Sequence, residues 1–267
     1  MKDAHTSSVG GAGTVGKALE VLDQVASFGR PVRFGELLCE SRFPKATLYR
    51  FVQTLTQEGM LTFDGERQTY AMGVRLVRLA HAAWAQSSLA PVARRHLERL
   101  SQTVGETIHL AQLDHASVLY VDKVSAHEPL PMFSQAGKVG PAYCTGVGKV
   151  MLAFLPEEQL ARVIAQQSFH RFTEHTLASE FALREEITEI RSRGYGFDRE
   201  EHEPGIICLA MPILTVHGRM LGALSVTSST ARTDLSALER HAPALREAAQ
   251  AIAEDAAQWR FPEPQST

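Results

Sequence analysis

The first third of the chain has three stretches of apolar residues at helical spacing, each with its own end signal. Between residues 15 and 26 the apolar side chains recur on one helix face, and the pattern stops at Gly29-Arg30-Pro31. A shorter pattern predicts a second helix over residues 34–39. A proline, favourable as a first helical residue, begins a third helix predicted over residues 44–58 and ended by Gly59.

Two short strand-like runs follow the third helix. They cover residues 60–63 and 68–71 and are joined by Asp64-Gly65-Glu66-Arg67, in which Asp-Gly is a strong hairpin signal. Three helices followed by a β-hairpin predict a winged helix-turn-helix. From residue 74 to about residue 89 the spacing is helical again, with no loop signal before Pro91, and we interpret this stretch as a linker helix.

Beyond Pro91 helical and strand-like periods are mixed. The predicted strands cover residues 107–113, 117–124, 206–214 and 219–228. The predicted helices include one through Leu97 and Leu100, and further ones over residues 146–154, 156–165, 179–193 and 234–255. Because strands and helices do not alternate as regular βαβ units, the pattern predicts an α+β fold with a mainly antiparallel sheet.

The third helix has a polar face that suits DNA. Its apolar side is formed by Leu48, Phe51, Val52 and Leu55, which leaves Ala46, Tyr49, Arg50 and Gln53 on the opposite face, flanked by Lys45 and Thr47. Arg50 can bind guanine and Gln53 adenine in the major groove. Phosphates would be held by Lys45, Thr47, Tyr49 and the wing residue Arg67. A solvated surface face explains this helix alone equally well. The order of helices, turn and wing favours DNA contact.

Composition and charge add limits to this picture. The chain is 44% hydrophobic and has a formal net charge of −3, but basic residues outnumber acidic ones between residues 30 and 78, where the helix-turn-helix is predicted. Neither a secretory signal nor a membrane span is present, which predicts a cytoplasmic protein without a membrane partner. Cys39, Cys144 and Cys208 lie far apart without CxxC pairing, so we expect three reduced, buried thiols and neither a disulfide nor a zinc finger.

Three segments resemble a known family. They are residues 44–55 (PKATLYRFVQTL) with the wing and residues 72–76, residues 144–156 (CTGVGKVMLAFLP), and residues 193–210 (RGYGFDREEHEPGIICLA) continued by residues 222–227. On these segments the chain resembles the IclR family of transcriptional regulators from about Val15 to Gln258. One departure is Ala46, where a Ser often stands in the family, and this puts one hydroxyl contact with DNA in doubt.

The resemblance implies the following organisation and partners. Together with the patterns above, it predicts a disordered tail at residues 1–13, a winged helix-turn-helix at 14–73, a linker helix at 74–90, a GAF-like effector domain at 91–258 and a tail at 259–267, of which the effector domain depends on the resemblance. The partners would be pseudo-palindromic double-stranded operator DNA, a small carboxylate effector and further copies of the chain in a homodimer or homotetramer, repressing or activating a catabolic operon without any cofactor. The effector positions of the family fall on Gly146, Val147, Asp198, Cys208, Ser225 and Thr227.

Elementary physics supports that pocket. Gly146 lies at a helix start, where free N–H groups and the helix dipole favour an anion. Strand alternation puts Ser225 and Thr227 on one face, as it does Ile206 and Cys208 on the preceding strand. Asp198 would fit poorly beside a carboxylate unless it accepts a ligand hydroxyl. This favours a hydroxylated acid such as a sugar acid, while a substituted aromatic acid stays possible.

Other interpretations of the same residues remain open at this point. Ser225 and Thr227 could be ordinary strand residues satisfied by their neighbours, and Cys208 could be a core residue. We interpret the acidic cluster at residues 198–203 and the segment His127-Glu128-Pro129 as charged surface loops without metal or acid-base chemistry.

Two rival functions follow. One is a cysteine-dependent hydrolase with Cys144 or Cys208 as nucleophile and His202 as base, although no signature marks either thiol as activated. The other is a ligand-independent architectural DNA-binding protein whose C-terminal half serves assembly.

Overall fold

The computed structural model describes residues 13–87, 89–125 and 132–258. The chain divides into two compact units, Met1–Trp84 and Ala85–Thr267. The first contains, in order, α1 (Thr14–Ser27), β1 (Val32–Arg33), α2 (Phe34–Glu40), α3 (Lys45–Gln57), β2 (Leu61–Asp64), β3 (Thr69–Met72) and most of α4 (Val74–Ser87).

The first unit is a helix-turn-helix with a β-hairpin wing, as the sequence predicted. The apolar faces of its first three helices and the strands meet in one buried core that includes Val21, Leu37, Leu48 and Val52. The hairpin gains a third strand that was not predicted, because β1 pairs antiparallel with β3 in the order β1-β3-β2. Two residues are too few for an alternating pattern, so this strand has no sequence signal of its own.

Two glycines fix the junction between α3, the wing and α4. The backbone N–H of Gly73 donates to the oxygen of Met60 at 2.8 Å. A Cβ at Gly73 would lie 2.1 Å from the backbone oxygen of Gly59, which itself has φ of +71°. Because the backbone at residue 73 passes so close to the backbone at residue 59, only glycine fits at residue 73, where the wing leads into α4.

The second unit is built around one six-stranded antiparallel sheet. Its strands run in the order β6-β5-β4-β9-β8-β7. The strands are β4 (Thr107–Asp114), β5 (Ser117–Val124), β6 (Val139–Pro141), β7 (Gly196–Arg199), β8 (Ile206–Leu214) and β9 (Met220–Ser229). The helices are α5 (Ala90–Val104), α6 (Gly146–Ala153), α7 (Glu157–Ile164), α8 (Glu180–Arg193), α9 (Leu235–Glu239) and α10 (Ala242–Gln258). The α+β fold class is thereby confirmed.

The sheet has a buried core on each face. On one side Leu224 and Val226 of β9 pack in a cluster with α5, α9 and α10. On the other side Ala210 and Ala223 pack in a cluster with α6, α7 and α8. Since neighbouring residues of a strand point to opposite faces, Cys208, Ser225 and Thr227 belong to the α6 side. The α6 side of the sheet thus places Cys208, Ser225 and Thr227 beside its apolar packing.

The structure corrects several sequence-based expectations. The helix predicted over residues 234–255 is two helices, α9 and α10, because Pro243 has no backbone N–H for the carbonyl of Glu239 four residues before it and its ring would clash with that carbonyl. Strands β6 and β7, of three and four residues, were missed. Cys39 is an exposed thiol, so the expectation of three buried cysteines was wrong for this residue. No helix of the described ranges is both long and apolar enough to span a bilayer.

Candidate functional site

A pocket lies on the α6 side of the sheet. It is lined by all six residues that the sequence suggested for an effector: Gly146, Val147, Asp198, Cys208, Ser225 and Thr227. Its other lining residues are His109, Tyr120, Phe133, Ser134, Thr145, His202, Glu203 and Ile206. The empty volume, which includes open solvent at the mouth, is about 410 Å³.

The first turn of α6 forms the floor of this pocket. Thr145 precedes the helix without capping it, since its hydroxyl donates to the backbone oxygen of Pro141 at 2.8 Å. A Cβ at Gly146 would lie 2.4 Å from Sγ of Cys208 and 3.3 Å from the backbone nitrogen of Asp198. Glycine is therefore required where the helix start meets β7 and β8. The close approach places the N-terminal end of a helix dipole, which favours anions, beside the pocket.

A polar wall faces this helix start. Thr227 Oγ1 lies 3.2 Å from Ser225 Oγ and 3.1 Å from Nδ1 of His109. Nε2 of His109 lies 2.9 Å from Ser134 Oγ, in the segment that leads to β6. Ser225, Thr227 and His109 are almost fully buried. The wall is thus a continuous row of buried hydrogen-bonding groups.

The sequence contains no sign that His109 belongs to the pocket, and burial decides the protonation state of its ring. Burial lowers the pKa of His109 to about 3, and the nearby Lys123 ammonium adds to the effect. The imidazole is therefore neutral at physiological pH. Its place on β4 opposite Ser225 depends on the pairing of two strands more than 100 residues apart, which no local pattern in the sequence reveals.

The acidic segment of residues 198–203 is not the surface loop that we expected. Glu201 is 2% exposed and pairs with the fully buried Lys149 of α6. Asp198 is also buried, and its Oδ1 accepts the backbone N–H of Glu201 at 2.8 Å. Burial, and then the neighbouring Glu201 carboxylate, raise the pKa of Asp198 to about 7. The pocket therefore has a carboxyl group that takes up a proton near neutral pH. The segment His127-Glu128-Pro129 lies outside the described residues.

Aromatic side chains line the mouth of the pocket. The rings of Phe133 and His202 are 5.1 Å apart, and Phe172 lies 4.7 Å from His202 on its other side. The backbone N–H of Phe133 donates to Glu203 at 3.0 Å and so ties this segment to the β7–β8 turn. Tyr120 contributes another ring from β5. A ligand would therefore meet polar groups inside the pocket and aromatic faces at its rim.

The buried cysteines lack the features of nucleophiles. Burial raises the pKa of the Cys144 and Cys208 thiols well above the usual range, so both are protonated at neutral pH. Within the described residues, no cluster of three or more His, Cys, Asp or Glu side chains could hold a metal ion.

The candidate nucleic-acid interface lies on α3 and the wing. Lys45, Ala46, Tyr49 and Arg50 are exposed, while Thr47 is half-buried. In the described part of the chain, neither Lys45 nor Arg50 forms an ion pair with an acidic group, in contrast to Arg42, which pairs with Glu20. The two α3 cations are therefore available to phosphates and base edges.

Two of the suggested DNA-binding residues have partners of their own. Gln53 is half-buried, and its Nε2 donates to the hydroxyl of Tyr70 on β3 at 3.3 Å. Arg67 lies in the wing turn, 80% exposed, with its Nε 3.9 Å from Asp64. Gln53 thus links α3 to the wing, whereas the side chain of Arg67 extends into solvent.

Comparisons with known proteins cover both units. The family model described as the IclR helix-turn-helix domain matches residues 14–65, and the model described as bacterial transcriptional regulator IclR C-terminal matches residues 81–254. The HTH-type transcriptional regulator KdgR of Escherichia coli K12 is 32% identical over 90% of this chain and 92% of KdgR. BhcR of Paracoccus denitrificans is 31% identical over 91% of this chain and 87% of BhcR.

Solved structures give the same result. The IclR protein of Thermotoga maritima matches with a TM-score of 0.73 at 27% identity, covering 90% of this chain and 97% of that protein. An IclR homologue from Microbacterium hydrocarbonoxydans, crystallised with 4-hydroxybenzoate, shares the fold with a TM-score of 0.78 at 24% identity, covering 92% of this chain and all of that one. Sequence and fold agree along nearly the whole chain, and the chain therefore belongs to the IclR family of transcriptional regulators.

Proposed function

We propose that this regulator binds a small carboxylate effector in the α6 pocket and thereby changes its affinity for an operator in front of a catabolic operon. The observation that supports this most strongly is the convergence of donors on one small space. The start of α6, the hydroxyls of Ser225 and Thr227 and the carboxyl group of Asp198 all border the pocket. A helix start and hydroxyl donors suit an anion, and burial strengthens their interaction with it.

Asp198 makes this site compatible with an acid. An ionised Asp198 would repel a carboxylate, but its pKa of about 7 allows it to be protonated when the effector enters. A protonated carboxyl group donates a hydrogen bond to a carboxylate, and an ionised one accepts a ligand hydroxyl. The pocket therefore suits hydroxylated acids, including sugar acids and hydroxylated aromatic acids. The 4-hydroxybenzoate complex of the Microbacterium homologue, together with the aromatic rim formed by Phe133 and His202, supports the aromatic option.

DNA binding would use α3 in the major groove and the wing on the adjacent backbone. In this proposal Arg50 and Gln53 contact base edges, Lys45, Thr47, Tyr49 and Arg67 contact phosphates, and Ala46 lies on the DNA-facing side of α3 without a polar contact of its own. To bind a base, Gln53 would have to give up its hydrogen bond to the hydroxyl of Tyr70 and form one to the base edge instead. A homodimer or homotetramer would present two such helices to the half-sites of a pseudo-palindromic operator.

The effector would act by its different affinity for two arrangements of the recognition helices, transmitted through α4. A coupling free energy of roughly 1–3 kcal/mol corresponds to about a 5- to 150-fold change in operator affinity. By reciprocity, operator DNA would change effector affinity by the same factor.

A stability screen tests the ligand part of this proposal. The midpoint of thermal unfolding is measured for the full chain against sugar acids, aromatic acids and short keto or hydroxy acids. Binding to the native state raises the midpoint by mass action, so we expect one chemical class to stand out. If no acid stabilises the protein, the ligand-independent architectural role becomes the better explanation. Turnover of an ester that is lost in Cys144→Ala would instead favour the hydrolase, against which the protonated thiols argue.

A further inference from the structure

The hydroxyls of the effector pocket are linked to a loop through one imidazole. Ser225, Thr227, His109 and Ser134 form a row in which neighbouring polar atoms lie 3.2, 3.1 and 2.9 Å apart. Ser134 belongs to the segment between β5 and β6, and its backbone oxygen accepts a hydrogen bond from Nζ of Lys123 at 3.0 Å. The row thus runs from the sheet, through His109, to the mouth of the pocket.

A neutral imidazole determines in which direction hydrogen bonds are donated along this row. Because the ring carries a single N–H, one nitrogen donates and the other accepts. Burial and the Lys123 ammonium keep the ring from becoming doubly protonated, which would make both nitrogens donors. The position of one proton therefore decides whether Thr227 and Ser134 accept a hydrogen bond from the ring or donate one to it.

The two tautomers present different surfaces to the pocket. With the proton on Nδ1, His109 donates to Thr227, and Ser134 donates to Nε2. The ring then needs neither hydroxyl proton, and Thr227 and Ser225 can turn their protons from their mutual contact of 3.2 Å toward a ligand. With the proton on Nε2, His109 donates to Ser134, and the hydroxyl of Thr227 donates to Nδ1. Thr227 then offers the ligand only an acceptor.

We propose that His109 is a specificity-determining residue of the effector pocket, whose Nδ1-protonated form turns the Thr227 and Ser225 hydroxyls into donors that select a carboxylate over an uncharged amide. This deepens the proposed function and rests on it. A carboxylate only accepts hydrogen bonds, so it fits the donor arrangement, whereas the NH₂ group of an amide would face donors. Acid binding then also fixes the Ser134 hydroxyl as a donor to Nε2.

Two variants separate the roles of the two ring nitrogens. His109→Asn places an amide near the position of Nδ1 and can still donate to Thr227, although it no longer reaches Ser134. His109→Leu removes both interactions. Ile108→Val is the matched control, because Ile108 is the neighbouring residue of β4 but faces the opposite core. The binding of pyruvate, 4-hydroxybenzoate and gluconate is measured by calorimetry, each against its own primary amide.

We expect the wild-type protein to bind its preferred acid at least about tenfold more tightly than the corresponding amide, because hydrogen bonds to a charged group are stronger than those to a neutral one. His109→Asn and Ile108→Val should retain that ratio, and His109→Leu should reduce it to near one. A purely structural His109 would weaken acid and amide equally in the Leu variant and leave the ratio unchanged, which would overturn the proposal.

Nitrogen NMR gives a second test, because it observes the ring proton of His109 in the wild-type protein itself and does not depend on the binding affinity of a variant. The His109 resonances are assigned by their loss in His109→Asn, and the acid-bound protein should carry its ring proton on Nδ1. A proton on Nε2 in the acid-bound state would contradict the proposal. If none of the three acids binds the wild-type protein, the proposed effector site itself fails. If acids bind with the expected preference but His109→Leu keeps it, only the role of His109 fails.

Discussion

Gly146 and Cys208 meet at the floor of the pocket, where a Cβ on the glycine would lie 2.4 Å from the cysteine Sγ. This contact brings the start of α6 against β8 and leaves no room for a side chain. Two residues that are 62 positions apart in the sequence thus fix how closely the start of α6 approaches the sheet beside the candidate effector site.

Gly146→Ala should therefore damage effector binding. The added methyl group must displace Cys208 or the helix, which costs about 1–3 kcal/mol of stability and should weaken effector binding at least about tenfold. Gly146→Ala combined with Cys208→Ala removes the clashing sulfur and should regain most of the affinity. Gly35→Ala on α2 is the control, because no atom lies within 4 Å of its new Cβ. Unfolding midpoints and calorimetric affinities are measured for all three, and an unimpaired Gly146→Ala variant would mean that the effector binds elsewhere.

Asp198 should make effector binding depend on pH. The pKa of this carboxyl is about 7, so binding of an anionic acid with a protonated Asp198 takes up a proton above that pH. Affinity should fall as pH rises from 7 to 8, by up to about tenfold per pH unit. Asp198→Asn keeps an oxygen for the N–H of Glu201 and should remove this dependence. An equally steep profile in the variant would assign the proton to another group.

The same carboxyl predicts the sign of a stability change. Because its pKa is higher in the folded protein than its ordinary value of 3.8, the folded state binds more protons between these values. The stabilisation is present below pH 4 and is lost as pH rises through 7. The free energy of unfolding of the wild-type protein, relative to Asp198→Asn, should therefore decrease between pH 4 and 7 in urea titrations. A relative increase over that interval would contradict the raised pKa.

The buried Lys149–Glu201 pair should be costly to break from one side. Lys149 is fully buried and Glu201 is 2% exposed, so Lys149→Met leaves a buried carboxylate whose remaining cation, Arg199, lies 3.9 Å away, and should cost up to about 3–5 kcal/mol of stability. Adding Glu201→Gln removes that charge and should restore most of the loss. Arg162→Ala breaks an exposed pair with Glu158 and should change stability by less than about 1 kcal/mol. If the double variant is no more stable than Lys149→Met, the loss does not come from the unpaired charge.

The α3 cations should differ in what they contribute to DNA binding. Arg50→Ala should cost about 1–3 kcal/mol at one base position, and Lys45→Ala should weaken all sequences and lower the salt dependence by about one ion. Arg30→Ala removes a charge that is already paired with Glu36 and is the control. Fluorescence anisotropy with DNA selected by the protein from a random pool measures these effects. Equal affinities for wild-type protein and Arg50→Ala would remove Arg50 from the interface.

Local patterns in the sequence were sufficient for most elements and for part of the pocket. The apolar spacing of α3 and the Asp-Gly signal predicted the winged helix-turn-helix, because both depend on neighbouring residues. Alternation along β9 placed Ser225 and Thr227 on one face. Their assignment to an effector, however, came from the family resemblance and not from the residues alone.

Features that depend on distant partners were missed. His109 looks like an ordinary strand residue until β4 pairs with β9 and places it opposite Ser225. Glu201 was expected at the surface because an acidic run is normally solvated, but Lys149 of α6 offers it a buried partner 52 residues away. Whether such polar groups are buried depends on contacts between residues far apart in the sequence. The periodic pattern of a single sequence does not reveal these contacts.

In this account an acid in the α6 pocket controls DNA binding. The most direct test is to titrate labelled operator DNA with protein, with and without the best-stabilising acid, and to follow the fluorescence anisotropy. Ser225→Ala combined with Thr227→Val removes both pocket hydroxyls with little change in volume. We predict that the acid shifts the operator affinity of the wild-type protein by about 5-fold or more and has no effect on the double variant, which still binds operator. An acid that binds the protein but leaves operator affinity unchanged, or one that acts equally on the double variant, would contradict the claim.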